Sequence, residues 1–349
     1  MNCIIATSHV QGEYVYDQST VKQRILQWLN GSSSRLQGLA DSFDRAIVSS
    51  RSSVVPIEWV FSERGIQESN DVYKTKAAEL ATRATEECLA RAGLEPRDVD
   101  YVISTSCTGF MIPSVEAVVA ERLGMRPDLR RLPITEHGCA AGVVGLTTAA
   151  DYLVAHPQHK VLVLSVELPS VTFQPGDLRE ANIISSALFG DGAAAALLAG
   201  EAHSGCPRIV AQRSARFANG LDLMGFDLRD SGLHIVLSRK IPAVLQKEVP
   251  GLLHSFLAEH GLSLQDINHY LFHPGGRRII EAFEETMQLP QGALDVTRSV
   301  LQRYGNLSSA TVLVVLGEYL ERGLARPGEI GLMVAFGPGF GAEMALVEW

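Results

Sequence analysis

A cysteine set in a turn of small residues constrains this chain more than any other feature. Leu132-Pro-Ile-Thr-Glu-His-Gly-Cys-Ala-Ala-Gly142 places Cys139 in a Gly-Cys-Ala-Ala-Gly turn. The apolar, small-residue run from Val143 to Val154 follows with helical spacing. Residues this small let backbones pack close. A helix starting here puts Cys139 at its positive end, which favours the thiolate, the reactive form. The same stretch fits a buried cysteine in a tight strand-to-helix turn, because free cysteine is among the most buried residue types.

Two downstream residues bear on that choice. His273 lies in Phe272-His-Pro-Gly-Gly276 and Asn306 in Tyr304-Gly-Asn-Leu-Ser-Ser309. Each sits between apolar elements in a glycine-rich turn that can approach a ligand. Singly, each reads equally as a satisfied core histidine or a helix-capping asparagine. Together with Cys139 they supply what acyl chemistry requires: a nucleophile with a nearby proton acceptor, and donors for a developing oxyanion. Papain-like proteases share the order Cys, His, Asn. Their C-G-[SA]-C-[WY] signature is absent around Cys139.

The chain of 349 residues can form two core-bearing units or one large fused one. With 46% hydrophobic and 20% charged residues it reads as a compact soluble protein. A net charge of -9 without a Lys/Arg block argues against a nucleic-acid partner. No apolar run is expected to reach the roughly 18 residues of a membrane span. No basic region followed by an apolar core marks a signal peptide. Cys3, Cys88, Cys107, Cys139 and Cys206 are odd in number and scattered, without C-x-x-C. That spacing predicts neither a zinc site nor a redox pair, and fits a reducing, cytoplasmic setting.

The periodicity predicts a helix over Thr20–Leu29, with Val21, Ile25, Leu26 and Leu29 inward, and another over Leu36–Ile47. A longer helix over Asn70–Gly93 buries Cys88 and is capped by Gly93. Strands are expected at Asp98–Cys107, Lys160–Val166, Ala193–Leu198, His269–Phe272 and Ile330–Phe336, and a connector at 201–207. Helices are expected at Pro242–His260, from Arg277, and at Ser308–Leu320. The halves echo each other. A helix, Gly93-Leu94 and Val99-Asp-Tyr-Val-Ile in the first match a helix, Gly261-Leu262 and Ile267-Asn-His-Tyr-Leu in the second. Two similar α/β halves meeting along one interface make a natural place for a pocket.

Gly138-Cys-Ala-Ala-Gly142, Val171-Thr-Phe173, Ala187-Leu-Phe-Gly-Asp-Gly-Ala193, His273-Pro-Gly-Gly276, Gly305-Asn-Leu-Ser-Ser309 and Gly337-Pro-Gly339, in this order, carry a resemblance over nearly the whole length. The chain resembles the type III polyketide synthases of the chalcone synthase superfamily. The resemblance implies an α/β, thiolase-like fold of αβαβα layers. Residues 1–204 would carry the cysteine, and residues 205–349 the histidine and asparagine. It implies acyl transfer to Cys139 from a starter CoA thioester, with His273 keeping the thiolate. His273 and Asn306 would hold malonyl-CoA through decarboxylation, without metal or redox cofactor. Substrate-binding positions implied by the resemblance are Phe189, Cys107, Thr172, Phe226, Ile235 and Ser308. Arg45 and Arg278, with Arg277 alongside, would meet CoA phosphates. A homodimer is implied too, with the apolar segment Phe110-Met-Ile-Pro113 as interface material.

The sequence also departs from the plant pattern. Cys107 stands where a cavity threonine is usual, Phe226 near a glycine position, and Ile235 in place of a second gating phenylalanine. His137 beside the nucleophile is unusual and reads as structural. Leu223-Met-Gly-Phe-Asp-Leu228 with Gly232-Leu-His-Ile-Val-Leu237 is similar to bacterial enzymes that make alkylpyrones from fatty acyl-CoA. Competing functions are an alkylresorcinol or other phenolic synthase, a single-round ketoacyl synthase, a cysteine hydrolase and a non-catalytic scaffold.

Overall fold

The helix–glycine–strand echo is the unit from which the fold is assembled. The computed structural model describes residues 2–201 and 205–349. In it, helix Ile66–Ala92 ends on Gly93 in the left-handed conformation (φ 67°). A 3-10 turn with reciprocal side-chain capping follows at Pro96–Asp98, and strand Tyr101–Thr105 enters a sheet. Helix Ile241–Glu259, Gly261 (φ 69°), the capped turn Leu264–Asp266 and strand His269–Phe272 repeat the sequence of events.

Each copy feeds its own sheet. The first has the spatial order Cys3–Gln11, Gly192–Ala199, Lys160–Glu167, Tyr101–Thr105, Arg130–Ile134, its last three strands parallel. The second has the order His269–Phe272, Ile330–Gly337, Gly341–Glu348, Arg208–Arg216. Helices Ala141–Ala155 and Ala310–Arg322 lie between the sheets and contact both. Ile66–Ala92 and Val115–Arg122 cover the outer face of the first sheet, and Ile241–Glu259 and Arg277–Met287 that of the second. The layers are therefore helix, sheet, helix, sheet, helix. One buried cluster joins Ile103, Leu146, Val163, Leu271, Leu313 and Met333, from both halves. Each such side chain contributes about 1.5–3 kcal/mol by leaving water. The central helices can touch because of Gly142, where a Cβ would lie 2.3 Å from the Ser309 carbonyl oxygen.

Several expectations need correction. Helix Gln18–Trp28 buries Val21 and Ile25, but Leu26 is 40% exposed because it sits about 100° off that stripe. The expected helix over Leu36–Ile47 is two short ones, Ser34–Gly38 and Asp41–Arg45, broken at a glycine and wrapped so that Phe43 enters a small satellite core. Gly138–Ala155 is long and apolar enough to cross a membrane by length and composition, contrary to the expectation. It is 67% buried and forms part of the central layer. Cys3 and Cys206 form a disulfide with Cα atoms 5.7 Å apart, a long-range pairing that the scattered spacing did not indicate and that runs against a reading of the cysteines as reduced. Residues 202–204 of the expected connector lie outside the described residues. The alternating segments after Leu223 form a separate antiparallel hairpin, Met224–Arg229 with Gly232–Leu237, and the chain ends in a strand, Gly341–Glu348, that the sequence reading did not assign.

Candidate active site

Cys139 is delivered by a single 3-10 turn, Gly138–Ala140, directly before helix Ala141–Ala155. Gly138 has φ +51°, and a Cβ there would meet the Pro338 ring at 2.6 Å, so the turn depends on glycine. The sulfur is 3.4 Å from Ser308 Oγ. Burial pushes the Cys139 thiol up to about 12, with the Ser308 contact working against the rise. Desolvation thus opposes the thiolate expected at the helix end, while the Ser308 hydrogen bond favours it.

His273 follows strand His269–Phe272 and is 2% exposed. Its backbone N–H donates to the Val334 carbonyl at 2.9 Å, which fixes its place at the strand end. Neither ring nitrogen has a hydrogen-bond partner among the described residues. Burial lowers its pKa to about 4. The imidazole is thus neutral at neutral pH, with one ring nitrogen a donor and the other an acceptor. The resemblance implied a histidine that keeps the cysteine ionised; burial works against this, favouring the neutral form of each group.

Asn306 is held by backbone and side chain together. Its N–H donates to the Leu188 carbonyl at 2.8 Å, and its own carbonyl accepts from the Gly190 N–H at 3.1 Å. Phe189 is thereby bridged to Asn306. The side-chain oxygen accepts from Ser308 N–H at 2.8 Å, so the amide's N–H side is the end left to donate. Ser308 has φ 49°, a strained conformation for a residue with a Cβ.

Cys139, His273 and Asn306 line one cavity of about 1080 Å³. So do Cys107, Thr172, Phe189, Phe226, Ile235, Ser308, Arg45 and Arg278. Phe226 and Ile235 pair directly across the hairpin. Thr172 spends its hydroxyl on the Pro169 carbonyl at 2.9 Å, so it contributes mainly its methyl. Arg45 and Arg278 are exposed, and neither has a carboxylate partner among the described residues. Arg277 pairs with Glu281 at 2.6 Å. His137 is exposed and does not line the cavity.

The sequence reading missed Glu167. This carboxylate ends the apolar strand Lys160–Glu167 and is fully buried. It accepts from Ser309 Oγ at 2.6 Å, Cys107 N–H at 3.0 Å, Thr108 Oγ at 3.1 Å and Ser308 Oγ at 3.3 Å. Cys107 sulfur lies 3.5 Å away, and its thiol is pushed well up by burial and then by the charge of Glu167. A lone acidic residue closing an otherwise apolar parallel strand was the available signal. Arg51, which its place beside the second helical segment would make a solvated charge, is instead buried and donates to the Ser186 and Ala187 carbonyls, fixing the segment that carries Phe189.

Residues 57–202 match the chalcone and stilbene synthase N-terminal domain, and residues 211–348 the C-terminal domain. A 1,3,6,8-tetrahydroxynaphthalene synthase of Streptomyces peucetius subsp. caesius is 39% identical over 307 residues, spanning 86% of this chain and 81% of the relative. The solved structure of 1,3,6,8-tetrahydroxynaphthalene synthase from Streptomyces coelicolor A3(2) superposes with a TM-score of 0.95 at 30% identity, covering 99% of each chain. Germicidin synthase from Streptomyces coelicolor superposes at 0.93 with 25% identity, covering 100% of this chain and 99% of the other. The thiolase-like layers, the cavity at the junction of two halves and these matches together make the chain a member of the chalcone and stilbene synthase family, a type III polyketide synthase and hence an acyltransferase.

Proposed function

We propose that the protein condenses malonyl-CoA units iteratively onto a medium- or long-chain fatty acyl-CoA and closes the product to an alkylpyrone. The observation that carries this reading is the cavity: 1080 Å³, walled by Phe189, Phe226, Leu233 and Ile235, with arginines at 45 and 278 and Cys139 in the same lining. Apolar walls reward chain length, since each buried CH₂ is worth about 0.8 kcal/mol.

The chemistry starts from a thiol and a neutral imidazole, the forms that burial favours. Cys139 sulfur attacks the starter carbonyl while its proton passes to the acceptor nitrogen of neutral His273. CoA leaves as the thiol, taking that proton, and an acyl-cysteine thioester remains. Malonyl-CoA then loses CO₂. The electrons of the broken C–C bond form an enolate, whose oxygen accepts from the donor nitrogen of His273 and from the Asn306 amide. The enolate carbon attacks the acyl-cysteine and expels the thiolate. Preorganised donors replace a strong base, and the apolar walls keep water from the reactive poly-β-keto chain.

The active unit is a homodimer. Phe110 is 47% and Ile112 102% exposed, which supports an apolar loop that a second copy covers, while Met111 between them packs against the chain's own core. A cytoplasmic location accords with CoA thioesters as substrates. A second reading, a hydroxylated aromatic product, is favoured by relatives named as tetrahydroxynaphthalene and phloroglucinol synthases. A starter series from acetyl- to stearoyl-CoA at fixed malonyl-CoA, with products identified by mass spectrometry, separates the two. Rising kcat/KM with chain length supports the alkylpyrone; malonyl-CoA as best starter with a phenolic product rejects it.

A further inference from the structure

The hairpin Met224–Arg229/Gly232–Leu237 belongs to neither large sheet, yet it presents Phe226 and Ile235 to the cavity. At its base Met224 and Leu237 pack against the core of the second half, and its polar side-chain fastening to the body comes mainly from one segment, 174–180. Gln174 Nε2 donates to the Leu233 carbonyl at 3.3 Å. His234 Nδ1 is 3.1 Å from Asp177 Oδ2, and both residues are about 7% exposed. Arg179 grips both Asp177 oxygens, at 2.7 Å from Nη2 and 3.0 Å from Nε, and its Nη2 lies 3.3 Å from His234 Nδ1. His234 Nε2 is 2.7 Å from Ser231 Oγ at the hairpin tip. Glu180 pairs with Arg239 at the hairpin's foot.

Along the strand, neighbouring side chains point to opposite faces. Ile235 faces the cavity, so His234, one residue earlier, faces Asp177 on the other side. Burial works against the Asp177 charge, but the hydrogen bonds from Arg179 and His234 hold its carboxyl below the usual range. A buried charged bond of this kind is among the stronger ties available.

We propose that His234 is a positioning residue for product length: its bond to Asp177 clamps the hairpin, and the clamp fixes how far Phe226 and Ile235 intrude into the cavity. The inference rests on the family's condensation chemistry, not on the fatty-acyl starter, and the assay uses whichever starter condenses best. Ser231, His234 and Asp177 also have the connectivity of a hydrolytic relay. Arg179 on both oxygens of Asp177 favours the clamp, since the carboxylate is already neutralised.

The test measures product-length distribution, starter KM and malonyl-CoA decarboxylation for His234→Ala, Asp177→Asn and His234→Asn. Loss of one charged hydrogen bond should free the hairpin enough to raise the share of products longer than the principal wild-type one about fivefold, with decarboxylation changed less than about twofold. Starter KM should rise while kcat for decarboxylation holds. His234→Asn, whose amide can still donate to Asp177, should restore the wild-type distribution. Ser231→Ala, an exposed change that spares folding, should shift the distribution the same way but less. An unchanged distribution in both Asp177→Asn and Ser231→Ala overturns the proposal. So does a parallel fall of condensation and decarboxylation in a folded variant. Labelling of Ser231 by a fluorophosphonate that depends on His234 overturns it too, in favour of a nucleophilic site.

Discussion

The internal repeat brings two strand ends to the cavity, one at Cys107 and one at His273. At the first, Glu167 sits fully buried and accepts from four donors, on Ser308, Ser309, Thr108 and Cys107. At the second, an imidazole equally deep has no partner on either nitrogen among the described residues. Buried polar groups normally carry the full complement of bonds. The satisfied end is held in shape from within, and the unsatisfied end is the one that the proposed chemistry assigns to a substrate atom. The asymmetry is between strand ends and not between halves: the bracing of Glu167 draws on Ser308 and Ser309 from the second half, and the nucleophile Cys139 comes from the first.

The sharpest way to break this division is at the sulfur between the two ends. Cys139→Ala should abolish condensation and covalent labelling. If iodoacetamide labels another cysteine first and Cys139→Ala still condenses, the assignment of the nucleophile fails. Next in size are the donors. Asn306→Ala should slow CO₂ release from malonyl-CoA about 100- to 1,000-fold while starter loading, read by mass spectrometry of the intact protein, stays measurable. Equal loss of both steps would move Asn306 to the bracing side.

The two ends should also respond to pH with opposite sign. The folded pKa of His273 lies near 4 against 6.5 for the free side chain. Between those values the unfolded chain binds more protons, so stability falls on acidification through that window, by on the order of 3 kcal/mol. His273→Gln should remove that part of the acid sensitivity in denaturant titrations. Burial raises the carboxyl of Glu167 above its ordinary value, with the surrounding donors opposing the rise. Its contribution is present at low pH and is lost as pH climbs through the raised value, so Glu167→Gln should flatten the decline on that side. The same sign for both variants would erase the contrast. The smallest effect is expected at the mouth. Arg45→Ala and Arg278→Ala should raise KM for CoA substrates about fivefold at low salt and less at high salt. Unchanged KM across the salt series would remove them from CoA binding.

What could be read beforehand was whatever is local. The Cys139 turn, the helix ending at Gly93 and its echo at Gly261 announce themselves through small residues and periodicity. Glu167 does not, because a single carboxylate after Val-Leu-Val-Leu-Ser-Val looks like a strand end until Ser309 and Cys107 arrive from distant sequence. The Cys3–Cys206 pair is separated by 203 residues and has no motif. The hairpin's role was hidden for the same reason: Asp177 and His234 meet only in three dimensions. Leu26 failed because periodicity gives a stripe but not its width.

One backbone connection has an evolutionary consequence. Phe189 and Asn306 are stitched by the hydrogen bonds of the 188–190 loop. Any insertion or deletion that re-routed this loop would drag the amide away from its post. The loop's length is therefore expected to be constrained by chemistry that it does not itself perform. Diversification at this doorway has to proceed by exchanging side chains on a fixed backbone, which makes new specificities here reachable in single steps and loop grafts between relatives a poor route to them.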